Sequence, residues 1–163
     1  MTGSATEATC IRVQTEDFDS GAEQRLLSAK GDIGAIATFT GLVRDYGDQT
    51  GVQGLFLEHF PGMTENQIGE LVAEARQRWQ LGGVRIIHRV GRLGLGEQIV
   101  FVGVASSHRS DAFAACQFLM DALKTTAPFW KKELTAEGEH WVEQKASDRA
   151  LTERWYPDGN AKD

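Results

Sequence analysis

The sequence predicts a single α+β domain: a mixed, largely antiparallel sheet with helices packed on it and a C-terminal hairpin. Three observations carry this expectation. Strand-like segments occur as adjacent pairs, Asp32–Arg44 with Gly54–Phe60 and Val84–Val90 with Gln98–Ala105, which implies antiparallel or mixed pairing. Between those pairs, Ile68, Leu71, Val72, Ala75 and Trp79 recur at the spacing of an amphipathic helix. The whole order reads strand, helix, two strands, helix, two strands, helix, hairpin, and 163 residues suffice for one real core.

Taken in order, residues 1–9 are small and polar and read as a disordered lead-in, with the domain over 10–156 and a tail over 157–163. Ile11–Thr15 alternates as a short strand does. Asp19 or Ser20 can cap a helix running to about Ala29, with Leu26 and Leu27 buried. Asp32–Arg44 is rich in β-branched and small residues, a long strand whose glycines suggest a bend or a close backbone approach. The polar connection after Arg44, through Gly51, reads as a mobile loop. Pro61-Gly62 ends the next strand, and Gly82-Gly83 stops the amphipathic helix.

Gly91–Gly96 has several glycines but neither the order nor the following helix of a nucleotide loop, so a strand-to-strand turn is expected. Phe113, Gln117, Met120 and Lys124 share one face of the next helix. Pro128 disfavours helix at Ala127, so the helix ends there. Trp130–Leu134 and His140–Lys145 form the hairpin, and Ser147 caps a last turn reaching Trp155.

Composition narrows the function. With 41% apolar and 25% charged residues the chain is an ordinary globular protein. A net charge of −6 argues against non-specific nucleic-acid binding, although local cations can still form an anion pocket. No apolar run approaches a membrane span and the N-terminus lacks a signal-peptide layout, so the expected compartment is the cytoplasm. Cys10 and Cys116 make no disulfide framework, and Cys116 reads as core. No histidine–carboxylate set has metal-ligand spacing, so no metal is expected.

Two clusters of cations remain. Lys124 and Lys131 flank the Pro128 break beside Phe129-Trp130. Either they are a helix-dipole partner and a solvated strand residue, or they form a pocket for an anionic substrate in which one desolvated amine carries a proton. His108 and Arg109 sit where a strand hands over to a helix N-terminus, a place that suits an oxyanion. Equally, Ser107 or Ser110 caps that helix and both side chains are solvated. Arg44 is a second candidate anion ligand, although alone such a residue is more often a surface charge. His88 and Arg89 lie in an apolar strand where one of them can face the core and find a backbone partner, and His59 reads equally as a structural hydrogen-bonder.

Five co-linear segments give a resemblance: Phe39–Arg44, Leu57–Met63, His88–Gly91, Val100–Arg109 and Asp121–Glu133. Together they resemble the large, catalytic subunit of molybdopterin synthase, the MoaE family, over roughly residues 10 to 155. The resemblance implies an α/β hammerhead-type fold and a homodimer. Each copy would bind a small ubiquitin-like carrier (MoaD-like) whose Gly-Gly tail enters the site as a thiocarboxylate. It implies transfer of two sulfurs to cyclic pyranopterin monophosphate, giving the dithiolene of molybdopterin; the pterin is substrate and product, and no cofactor is implied. The family's essential lysines fall on Lys124 and Lys131, its anion ligands on Arg44, His108 and Arg109, and its pocket lining on Phe39 and Met120. Some of these would come from the neighbouring subunit. Phe60 stands where relatives often carry tyrosine, and the loop 45–53 carries no transferable contact. A non-catalytic subunit that only docks a carrier or an anionic metabolite would use the same basic residues.

Overall fold

The structure is a computed structural model and describes residues 9–28, 31–45, 51–142 and 153–157. In chain order the elements are β1 (Thr9–Gln14), α1 (Ser20–Leu27), β2 (Ala35–Leu42), β3 (Gly54–His59), α2 (Met63–Arg78), β4 (Val84–Arg89), β5 (Gly91–Gly94), β6 (Gln98–Ser106), α3 (Arg109–Thr125), β7 (Phe129–Thr135) and β8 (Gly138–Trp141). The strands form not one sheet but two, in the orders β1-β4-β6-β2 and β5-β3-β7-β8. Among the described residues only β1 and β4 pair in parallel and every other pairing is antiparallel, so the α+β expectation with a largely antiparallel arrangement holds.

The first sheet is the centre of the molecule. Alternation along β6 sends Val100, Val102 and Val104 toward α2 and α3, and Phe101 toward α1. Their partners on the α2 stripe are Ile68, Leu71, Val72 and Ala75, as the sequence spacing requires. On the other side Phe18, Ile87 and Phe101 make a second small cluster. Asp19 caps α1 by accepting from the Ala22 N–H at 3.0 Å. Leu27 is buried under that helix, but Leu26 is 59% exposed, contrary to expectation, because an eight-residue helix turns only one stripe inward. Glu23 is buried there and ties α1 to the sheet through Arg12 of β1 and Arg85 of β4, the latter at 2.6 Å.

The second sheet is built on the β3–β7 and β7–β8 ladders, and Gly91–Gly94, expected to be a turn, adds a short edge strand paired with β3. Gly91 takes a φ of 85°, which lets the chain leave β4 and swing into that sheet at once. The inner face of the sheet carries Leu55, Leu57 and Leu93, packed with Val43 and Val90. The C-terminal hairpin turns earlier than expected, with β8 beginning at Gly138. The proposed cap at Ser147, most of the 45–53 loop and the outer parts of both tails lie outside the described residues. From the C-terminal segment, Trp155 lies edge-on to Trp79 and Phe118, and its indole N–H donates to Asp121 at 2.8 Å.

Candidate active site

After β6 the chain reverses and α3 lies back over the sheet, with Cys116 Sγ 3.8 Å from the Val102 carbonyl near the middle of both elements. Cys116 is buried and burial pushes its thiol up to about 11, so it is core rather than nucleophile. This antiparallel return decides where the candidate residues fall. Lys124, in the last turn, comes to the end of the sheet where β6 begins and β2 finishes, Leu42 pairing with Gln98 there. His108 and Arg109 are at the opposite end. Fifteen residues of helix separate Arg109 from Lys124, about 22 Å along the axis.

Other candidates fall toward the Lys124 end. α3 stops at Thr125, two residues before the expected end, with the Thr126 N–H bonded to the Ala122 carbonyl. Lys124 is exposed and complements the negative end of the helix dipole. Across the Pro128 break, the Phe129 N–H donates to the Ala127 carbonyl at 2.8 Å and β7 begins. Lys131 pairs with Leu57 of β3 and shares the inner face of the sheet with Phe129 and Glu133. It is half-buried there. Arg44 follows Val43, which is buried in the same cluster as Leu57 and is held between Glu97 O and Gly96 N–H by backbone bonds of 2.9 and 2.8 Å. Arg44 is thus carried to the same end as Lys131.

Phe39 and Met120 mark the seam leading to that end. Phe39, on the edge strand β2, lies on the same face as the buried Ala37 and is 42% exposed. Met120 is half-buried one turn before Lys124. The face shared by Phe113, Gln117 and Lys124 is the outward face of α3; Phe113 is 67% exposed. The buried face is Ala112, Ala115, Cys116, Phe118, Leu119, Ala122 and Leu123.

At the other end neither Ser107 nor Ser110 caps α3. The N-cap is His108, without a side-chain cap bond, and Ser106 Oγ accepts from the His108 N–H at 3.2 Å. Ser107 Oγ instead donates to the Asp32 carbonyl. His108 and Arg109 are both exposed at a helix N-terminus, an arrangement able to receive an oxyanion presented from outside the chain. Within one copy Arg44, Lys124 and Lys131 thus fall toward the end of the sheet where β6 begins, with Met120 one turn before Lys124 and Phe39 level with Val102 at mid-strand, whereas His108 and Arg109 fall at the opposite end.

The other histidines have structural partners. His59 Nδ1 is 3.3 Å from Thr64 Oγ1. His88 donates from Nδ1 to the Arg89 carbonyl at 2.8 Å, and desolvation pulls it down to about 4, so its ring is neutral at physiological pH. Arg89, also buried, binds the Thr15 and Gln98 carbonyls. Phe60 packs edge-on to Trp130 with centroids 4.5 Å apart. Glu133, which the sequence reading did not single out, is a buried carboxylate two residues from Lys131 on the same sheet face. Strand spacing alone could have flagged it. Among the described residues no three His, Cys, Asp or Glu side chains gather as metal ligands, and no helix is long and apolar enough to cross a membrane.

Comparison with known proteins bears on the family and the fold. The family model described as MoaE protein matches residues 13–126. A molybdopterin synthase catalytic subunit from Pseudomonas aeruginosa is 58% identical over 146 residues, covering 89% of this chain and 97% of that relative. Among solved structures, the molybdopterin biosynthesis MoaE protein from Burkholderia ambifaria superimposes with a TM-score of 0.77 at 51% identity, covering 91% of this chain and 98% of that one. Molybdopterin synthase from Staphylococcus aureus does so with a TM-score of 0.76 at 26% identity, covering 81% and 96%.

Proposed function

The chain belongs to the MoaE family, and we propose that it is the catalytic, sulfur-transferring subunit of a molybdopterin synthase in molybdenum cofactor biosynthesis. The observation that carries the site assignment is that the topology brings Arg44, Lys124 and Lys131 toward one end of the molecule, with Met120 and Phe39 on the approach to it. The substrate is cyclic pyranopterin monophosphate, and sulfur arrives as the C-terminal thiocarboxylate of a small ubiquitin-like carrier. Both are anions. Their approach is opposed by mutual repulsion, which nearby cations offset most strongly where water is sparse.

In this reading Lys124 and Lys131 stabilise the oxyanions and move protons as sulfur adds to the side-chain carbon and oxygen departs. Arg44 holds the phosphate or pterin side. His108 and Arg109 are about 22 Å from Lys124 along α3, too far to share one pocket within a chain. That separation supports a homodimer in which His108 and Arg109 of each copy complete the pocket of the other.

Single-turnover sulfur transfer, with thiocarboxylated carrier and cyclic pyranopterin monophosphate under anaerobic conditions, tests the proposal. Product is expected from the parent and a loss on the order of 10²–10⁴-fold in Lys124→Arg or Lys131→Arg, because arginine cannot release a proton near neutral pH. Carrier binding without product in the parent would leave a docking subunit instead.

A further inference from the structure

The two lysines ride on different sheets. Lys124 is on α3, which packs on the first sheet, whereas Lys131 is on β7 in the second. The β3–β7 ladder, from His59↔Phe129 to Gly54↔Leu134, fixes Lys131 within its own sheet. It does not fix that sheet relative to α3. Val13 and Ile99 of the first sheet pack on the Leu55, Leu57 and Leu93 cluster of the second, and nearer Lys131 the two are joined at Phe129.

His88 is placed to make that junction. It lies on β4 of the first sheet, in line with the buried Val84 and Ile86 and therefore on the α3 side. Its ring stacks on Phe129, the first residue of β7, with centroids 3.9 Å apart and planes at 16°. No other ring pair among the described residues is so close. The bond from His88 Nδ1 to the Arg89 carbonyl fixes the plane of the ring. Phe129 also lies 6.3 Å from the ring of His59, its cross-strand partner, which reaches Thr64 of α2. Phe129 is thus held from both sheets, immediately after the Pro128 break and two residues before Lys131.

We propose that His88 is a positioning residue: its ring, stacked on Phe129, locks the second sheet against the first and so sets Lys131 relative to Lys124. The inference rests on the reading of Lys131 as catalytic. His88 itself does not touch the substrate. Its nitrogens matter less than its flat ring, since Nδ1 is committed to its own backbone.

The test is sulfur transfer by the full chain with thiocarboxylated carrier at saturating pterin. His88→Ala is expected to lower kcat on the order of 10–100-fold with KM changed less than about twofold, the scale of a reacting group displaced by about an ångström. His88→Phe, which keeps a ring for the stack, is expected to stay within about threefold of the parent. In a Lys131→Ala background, adding His88→Ala is expected to change the residual turnover by less than about twofold, since the effect runs through Lys131. A folded His88→Ala variant with parental kcat overturns the proposal, as does His88→Phe falling as far as His88→Ala. If His88→Ala does not fold, Phe129→Leu keeps the apolar bulk and removes the stack, and parental kcat there is equally decisive against it. Lys131→Ala separates the two failures: full turnover in that variant sinks the catalytic reading, whereas a dead Lys131→Ala beside a normal His88→Ala sinks only the role of the stack.

Discussion

The two sheets are built from the same kind of strand and used differently. The first is covered on both faces: α2 and α3 lie on one side and α1 on the other, and β6 is buried from Val100 to Ser106. The second packs Leu55, Leu57 and Leu93 inward but leaves Trp130 at 43% and Trp141 at 58% exposure on its outer face. Candidate chemistry falls where the thinner sheet meets the thicker one, at the end of the molecule that carries Lys131, Lys124 and Arg44. A layer buried on both faces tolerates little change, while a layer with one free face can place a lysine at a half-buried edge. Stability and the site are therefore divided between the sheets, and that division can be tested.

The largest expected effect is in the first sheet. Phe101 is 1% exposed and packs edge-on against Phe18. Above it the backbone of Gly103 leaves no room for even a Cβ, which would come within 2.6 Å of Leu27 and 2.8 Å of the Phe101 ring. Phe101→Ala should cost about 3–5 kcal/mol, from lost burial and the cavity left behind. Urea unfolding measures it. A loss under about 1 kcal/mol would mean that the α1 side of the sheet is not a true core.

The next effect belongs to the junction. His88 titrates near 4 in the fold against its ordinary 6.5, chiefly because burial disfavours the charged ring, with His59 adding to the effect. The unfolded chain therefore binds the proton more readily, and stability falls as pH drops from 6.5 toward 4. The loss from this residue is about 3 kcal/mol once both states are protonated. Asp17 and Glu97, whose hydrogen bonds hold their carboxyls low, add acid sensitivity at the lower end. Comparing the parent with His88→Phe isolates the histidine: the variant should lose less stability between pH 6.5 and 4. Parallel curves would show that the ring is not desolvated in the fold.

How much of this could be read from sequence follows the same division. The α2 stripe, the apolar run of β6 and the core position of Cys116 were legible because burial on a regular element leaves a period. The 22 Å between Arg109 and Lys124 was also implicit, since helix length follows from residue count. Gly91–Gly94 was not legible as a strand, for four residues rich in glycine carry no strand pattern and pair only because Gly91 turns them toward β3. Nor was the stack of His88 on Phe129, which depends on how two sheets meet. Capping by Ser107 or Ser110 was one of two readings open from residue type; in the fold α3 starts after His108 with no side-chain cap, and Ser106, whose hydroxyl donates to the Gln80 carbonyl, accepts from the His108 N–H.

The smallest expected effect lies on the outer face of the second sheet. Trp141, paired with Lys132 across β7 and β8, has the Lys132 ammonium 4.4 Å from its ring centroid, and Lys132 also reaches Glu139 at 3.5 Å. At such exposure a cation–π contact contributes about 0.5–1 kcal/mol, and a surface ion pair is worth no more. Trp141→Thr keeps strand propensity while removing the ring, so it should cost less than about 1 kcal/mol in urea unfolding and leave the acid profile of His88 unchanged. A cost above about 2 kcal/mol would break the contrast between the sheets, because an exposed ring can lose that much only if something covers it. The same unfolding curve repeated across protein concentrations would then identify the cover: a concentration-dependent midpoint assigns it to a second copy of the chain, a constant one to residues of the same copy.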